Sequence, residues 1–234
     1  MIIDFFVLAC SYKHHNRCVA GIDLTNKRLI RLISRDESTD GAIKKEDCYY
    51  GDYDCLKALD VVRIRIGSKA PNKGAQTENY YVYPPFILSF VRIGTVSEIK
   101  PYLQKGHFDY LPFETKKSTM SFRTYNDRKY SISIIPARMI ESYKIDEDGS
   151  DRWKVSFCVA NDYGEIQKLD DYPCTDSNEK FYRRLFHVNE AYLVITMSSK
   201  PADNGLYYKF IASIIDLNNN QTPRRRYSNI EDLF

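Results

Sequence analysis

The chain of 234 residues lacks most of the patterns that announce chemistry. Its six cysteines, at positions 10, 18, 48, 55, 158 and 174, form no Cys-x-x-Cys pair, and no histidines stand at finger spacing, so no metal site is expected. There is no Gly-x-Ser-x-Gly elbow, no His-Glu-x-x-His, no Walker loop and no dinucleotide glycine pattern. No apolar run approaches the length of a membrane span, and the first residues hold no basic segment leading into a signal-type apolar stretch. These absences set the expectation of a reduced, cytoplasmic protein with no membrane contact and no cofactor. Charge of one sign is also scarce. The formal net charge is +3, far from the strongly basic balance of proteins that grip long duplexes.

What the chain does have is aromatic surface: 19 Tyr and 12 Phe against a single Trp. Tyr and Phe favour pleated, half-buried positions, which points to an all-β fold, and their rings also offer flat faces on which bases stack. The basic excess is confined to one half. Residues 1–105 carry 16 Lys and Arg against 12 Asp and Glu, while residues 106–234 carry 18 against 19. A phosphate-facing surface is therefore expected to be local and N-terminal, suited to a short single strand or a nucleotide.

Short apolar or alternating runs fill the chain. Residues 2–10, 17–24 and 27–34 read as strands, the last two as a hairpin across Thr25-Asn26. A loop with a short helix follows over 35–57. In 59–66, Val62, Ile64 and Ile66 share one face and Arg63 and Arg65 the other, as exposed strand charges or the lining of a groove. Strands are also expected over 80–83 and 86–93, with a helix over 96–104 capped by Ser97 and a linker over 105–118. Later strands are expected over 129–135, 138–145, 152–160, 165–169, 192–197 and 207–215, with a helix over 177–186 and a turn at Asp148-Gly149. This gives three parts: a barrel over 1–110, a second over 111–217, and a polar basic tail over 218–234 with Arg224-Arg225-Arg226.

The segment Ser11-Tyr12-Lys13-His14-His15-Asn16-Arg17 packs hydroxyls, imidazoles, ammonium and guanidinium into the turn between two strands, where a β-scaffold presents groups to an anionic ligand. Lys13 and Arg17 can hold phosphate there. Arg31 alternates away from Ile30 and Leu32, so its charge needs either an internal partner or a ligand. Gln76-x-Glu78-Asn79, just after a Pro/Gly turn, has the amides and carboxylate that read base edges, or that tie down a loop. Tyr208-Lys209 offers stacking beside charge. Cys10, Cys18 and Cys158 lie in apolar runs as small buried hydrophobes. A nucleophilic role for Cys18, or a general base at His14 and His15, has little else in the sequence to support it, so a non-enzymatic module is expected.

The blocks Ser11-x-Lys13, Arg17-Cys18-Val19-Ala20-Gly21, Leu29-Ile30-Arg31-Leu32-Ile33-Ser34, Leu59-Asp60-Val61-Val62, Gln76-Thr77-Glu78-Asn79 and Tyr208-Lys209-Phe210-Ile211-Ala212 occur in an order that resembles the dual OB-containing domain family. They span nearly the whole chain. One departure is Leu29-Ile30-Arg31-Leu32, where the family has an aromatic residue before Ile-Arg-Pro. The resemblance implies two small OB-like barrels packed in tandem, often associated with prokaryotic defence, with nucleic acid as the ligand. The candidate site for a nucleic acid or nucleotide combines Ser11, Lys13, Arg17, Arg28 and Arg31 with Gln76, Glu78, Asn79, Tyr208 and Lys209. The alternative reading is a protein-interaction module that docks an effector or sensor partner through the C-terminal tail.

Overall fold

Residues 5–10 are apolar without alternation because both faces of their strand are covered. In the computed structural model, which describes residues 1–50, 54–72, 74–104, 111–147, 150–161 and 163–218, strand β1 (Ile2–Lys13) sends Ile3, Phe5 and Val7 into one core and Phe6 and Leu8 into another. Val7 pairs with Gly21 and Ala9 with Ala20 on β2 (Asn16–Asp23), so Leu8 is the extra residue of a bulge. A hairpin joins β2 to β3 (Arg28–Ser34). Its turn is organised by the buried Asp23 carboxylate, which accepts from the backbone N–H groups of Thr25 and Asn26 at 3.1 Å each.

The segment after β3 forms two 3-10 turns, Glu37–Thr39 and Lys45–Cys48, then the small pair β4 (Tyr49–Tyr50) and β5 (Asp54–Cys55). Strands β6 (Asp60–Arg65), β7 (Asn79–Val82) and β8 (Ile87–Ile93) complete a six-stranded sheet ordered β7-β3-β2-β1-β6-β8, with β7 parallel to β3. Past Arg65 the chain swings onto β7: Gly67 N donates to Tyr81 O at 2.7 Å, Tyr81 N to Ser68 O at 3.1 Å and Ala70 N to Asn79 O at 2.9 Å. These bonds close the circuit β1-β2-β3-β7-β6-β1. That is the strand order of an OB barrel, with β8 added outside. Arg63 faces solvent and pairs with Asp4 at 2.8 Å.

The expected helix over 96–104 is a 3-10 run, Val96–Tyr102, capped by Thr95 and not by Ser97; Thr95 and Glu98 form a reciprocal capping box, and Pro101 lies within the run. Past the turn Pro112–Glu114 come β9 (Thr119–Met120) and a six-residue helix, α1 (Phe122–Asp127), capped by Ser121. The second barrel then repeats the plan with β10 (Ile132–Glu147), β11 (Ser150–Ala160), β12 (Ile166–Pro173), β13 (His187–Met197) and β14 (Tyr207–Asp216), ordered β12-β11-β10-β13-β14-β9. Thr175 N donates to Ile211 O at 2.8 Å beside a parallel Cys174–Ile211 bridge, which brings the end of β12 onto β14 and closes the same circuit.

Two expectations fail here. The strands expected over 129–135 and 138–145 are one strand, β10. Pairing with β11 begins only at Arg138, so Pro136 owes no donor to that ladder, and Met139 (φ 47°) takes up the irregularity after it. The helix expected over 177–186 is a series of turns. Asp176 and Asn178 accept from the backbone N–H groups two residues on, at 2.8 and 3.1 Å, and these local bonds displace the helix. The Asp148-Gly149 turn, residues 105–110 of the linker and residues 219–234 of the tail lie outside the described residues.

Each barrel has its own apolar interior, and a third core joins them. Phe6, Leu8, Ile22 and Val61 of the first barrel meet Ile132, Ile134, Tyr192 and Val194 of the second. Burying each such large side chain contributes roughly 1.5–3 kcal/mol. The relative placement of the barrels is therefore part of the fold. Among the described residues, no helix is long and apolar enough to cross a membrane.

Candidate ligand cleft between the barrels

The third core thins toward one end. On β1, Phe6 and Leu8 give way to Ala9 and Ser11; on β2, Ile22 gives way to Ala20 and Cys18; on β13, Val194 gives way to Thr196. These smaller side chains leave a cleft of about 1180 Å³ open between the barrels. From the first barrel its walls are the faces of β2 and β3, the turn after β1 and the connection from β6 to β7. In an OB barrel these are the surfaces that meet oligonucleotides and oligosaccharides. The second barrel covers them with Thr196 to Lys200 and with Phe210.

A polar set lies deep in the cleft. Arg31, 8% exposed, stands opposite Asn79 in the β3–β7 register, and strand alternation turns both away from the barrel interior, where Ile30, Leu32 and Tyr80 point. Arg31 Nη2 donates to Ser131 O of the second barrel at 3.2 Å, and no described carboxylate pairs with the guanidinium. Asn79 Nδ2 donates to Gln76 Oε1 at 3.2 Å, and Gln76 Nε2 donates to Met197 O at 3.3 Å. Asn79, 3% exposed, has a carbonyl oxygen with no hydrogen-bond partner. Ser11, also buried, lines the wall nearby.

The mouth is cationic. Lys13 and Lys200, one from each barrel, pair with the two oxygens of Asp40 at 3.0 and 2.7 Å. Partial burial raises the Asp40 carboxyl, but the two lysine ammoniums outweigh it and hold the carboxyl below its ordinary range. Arg35 lies over the rings of Tyr81 and Tyr83, at 4.5 and 5.3 Å. At Cys18, burial raises the thiol, against the pull of Lys13 and Arg31, so it stands as a neutral thiol.

Of the ten residues expected at a site, Ser11, Lys13, Arg31, Gln76 and Asn79 line this cleft. The other five lie elsewhere, each for a definite reason. Arg17 is buried off the cleft, its guanidinium 4.1 Å over the Tyr12 ring and donating from Nη1 to Asn16 O at 3.2 Å. Arg28 pairs with buried Asp23 at 3.1 Å and covers Tyr80. Glu78 faces the second barrel, its Oε1 accepting from Ser131 N and Oγ at 2.9 and 2.6 Å. Tyr208 accepts from Asn204 Nδ2 at 3.2 Å on the far side of the β13–β14 connection. Lys209 is fully buried in the second barrel, donating to Pro112 O, Thr115 O and Thr115 Oγ1 at 2.8, 2.9 and 2.5 Å. Asp40, Lys200 and Phe210 were not anticipated, and only the loop position of Lys200 hints at exposure. No group of three or more described His, Cys, Asp or Glu residues is placed to hold a metal.

The model of the dual OB-containing domain matches residues 3–214. No curated protein and no solved structure matches the chain.

Proposed function

Since the chain belongs to the dual OB-containing domain family, we propose that it is a non-enzymatic binding module. Its ligand is a nucleotide, or one nucleotide of a single strand, held in the cleft between the barrels. The observation that carries this reading is the coincidence of that cleft with the OB ligand face, lined by cations at its mouth and by buried amides and a guanidinium at its depth. Lys69, on the connection from β6 to β7 that lines the cleft, meets phosphate together with Lys13 and Lys200, which share their ammoniums with Asp40, while Arg31, Gln76 and Asn79 meet the base. Cys18, held as a thiol, supports binding over chemistry. The setting is a prokaryotic defence system, as the family resemblance implies. The competing protein-docking reading rests on a tail of which 219–234 lie outside the described residues.

Fluorescence anisotropy with labelled single-stranded DNA and RNA, and competition by mononucleotides, tests this across a salt series. Binding is expected to weaken with salt and by about tenfold or more in Lys13→Ala/Arg31→Ala. Absence of binding to every probe at low salt, or tight binding untouched by the double substitution, rules the site out.

A further inference from the structure

Resting on that reading, we infer that the ligand is a single strand of at least two nucleotides, which leaves the cleft along β3 and β7 and stacks a second base on Arg35. Strand alternation sets the floor of this path. Ile30, Leu32, Tyr80 and Val82 point into the first barrel. Arg31, Ile33 and Arg35 therefore follow one another on the outer face of β3 and its extension, and Asn79, Tyr81 and Tyr83 on that of β7. The parallel register sets Arg31 against Asn79 and Ile33 against Tyr81. Exposure rises along both rows: Arg31 and Asn79 are buried, Ile33 and Tyr81 half-buried, Arg35 and Tyr83 exposed. The rows thus run from the depth of the cleft to its outside, over roughly 13 Å from Asn79 to Tyr83 at about 3.3 Å per residue.

The outer end of the rows is a platform. The Arg35 guanidinium lies over the rings of Tyr81 and Tyr83, and its Nη2 reaches Ser68 Oγ at 3.5 Å. A guanidinium held flat in this way stacks a base as an aromatic ring does. No described carboxylate pairs with it: the adjacent Asp36 is taken by Lys44 at 3.1 Å, and Asp40 by Lys13 and Lys200. Lys69, exposed on the connection beside β7, likewise has no ion pair among the described residues. Two uncompensated cations therefore stand where the phosphate joining two nucleotides passes. Arg35, Tyr81 and Lys69 line the cleft and Tyr83 lies beyond its lining, so the platform carries the path from inside to outside. The volume agrees. A cleft of about 1180 Å³ is larger than the roughly 300–1,000 Å³ that encloses one small-molecule ligand. A mononucleotide held at Arg31 leaves the platform bare, and a second nucleotide covers it.

Isothermal titration of the full chain with 5′-phosphorylated deoxythymidine and deoxyadenosine oligomers of one, two, three and six nucleotides, at one low salt concentration, is the test. The dinucleotide is expected to bind about tenfold or more tighter than the mononucleotide. Arg35→Ala, checked for folding by its thermal melt, should bring that ratio to within about threefold. Arg35→Lys, which keeps the charge and lacks the plane, should restore less than half of the gain. Full recovery in Arg35→Lys makes the outer contact one of charge and overturns the stacking. Equal affinity for one and two nucleotides, or a ratio unchanged in Arg35→Ala, overturns the outer site and leaves nucleotide binding in the cleft standing. No affinity for any oligomer or labelled strand overturns both.

Discussion

Lys209 lies on β14 with its ammonium inside the second barrel, between the rings of Phe113 and Tyr172 at 6.0 and 5.7 Å. In sequence it is one of a pair, Tyr208-Lys209, that looks like an exposed ring beside an exposed charge. Alternation decides otherwise, since Tyr207, Lys209 and Ile211 share the inward face. Nothing in the local pattern distinguishes an inward lysine from an outward one; the carbonyls of Pro112 and Thr115 that receive it come from about a hundred residues away. Burial, and secondarily the charge of Arg128, lower its proton affinity from 10.5 to about 7. Between those values the unfolded chain binds more protons than the folded one. This group's contribution to stability therefore rises with pH across that window and is lost as pH falls through about 7. Urea unfolding at pH 7, 8 and 9 should show the wild type gaining stability with pH and Lys209→Met gaining less. An equal slope in the two proteins means that Lys209 keeps its ordinary proton affinity in the folded state. Arg31 is the opposite case. Period-2 alternation alone places it away from Ile30 and Leu32, and that is where the structure has it.

At the scale of elements, the strands built on alternation or on unbroken apolar runs are legible, and the closures are not. The hairpin of β2 and β3 follows from its turn residues and flanking runs. The barrel circuits are made by backbone bonds of 67–70 and of Thr175, segments with no strand signal of their own. For the same reason two barrels with one strand order leave no repeat in the sequence. Half of the candidate site was readable, because Ser11, Lys13, Gln76 and Asn79 stand near strand ends or in a connection with polar composition, and Arg31 is a charge set between apolar neighbours inside β3. The bulge in β1 is a feature whose sequence requirement becomes clear only from packing. It brings β1 so close over Gly21 that a Cβ there would run into the Phe6 carbonyl and the Phe5 ring. Gly21→Ala is expected to cost about 1–3 kcal/mol through overpacking, read as a lower urea midpoint with an unchanged slope. A variant as stable as wild type would mean that β1 can move off β2 without loss, and that the bulge is adaptable.

For the whole molecule, a net charge of +3 says little, because the charge that matters is arranged at one place. The third core fixes the two barrels so that Lys13 of the first and Lys200 of the second meet over a single carboxylate, Asp40. That carboxylate partly neutralises the mouth of the cleft and links the barrels across it. Its pairs are partly exposed, so their combined effect on stability is expected to stay within about 1 kcal/mol. Their effect on an anionic ligand is larger. Asp40→Asn leaves Lys200 without its ion pair, while Lys13 keeps only its bond to the Asp40 carbonyl at 2.7 Å. Both ammoniums then meet phosphate without a carboxylate competing for them. Single-strand binding should tighten at low salt, and the slope of log affinity against log salt should steepen by about 0.7 for each lysine that gains a phosphate contact, read by anisotropy in a salt series. An unchanged slope would place the phosphates away from this mouth, with Lys13, Lys200 and Asp40 acting only as the latch between the barrels.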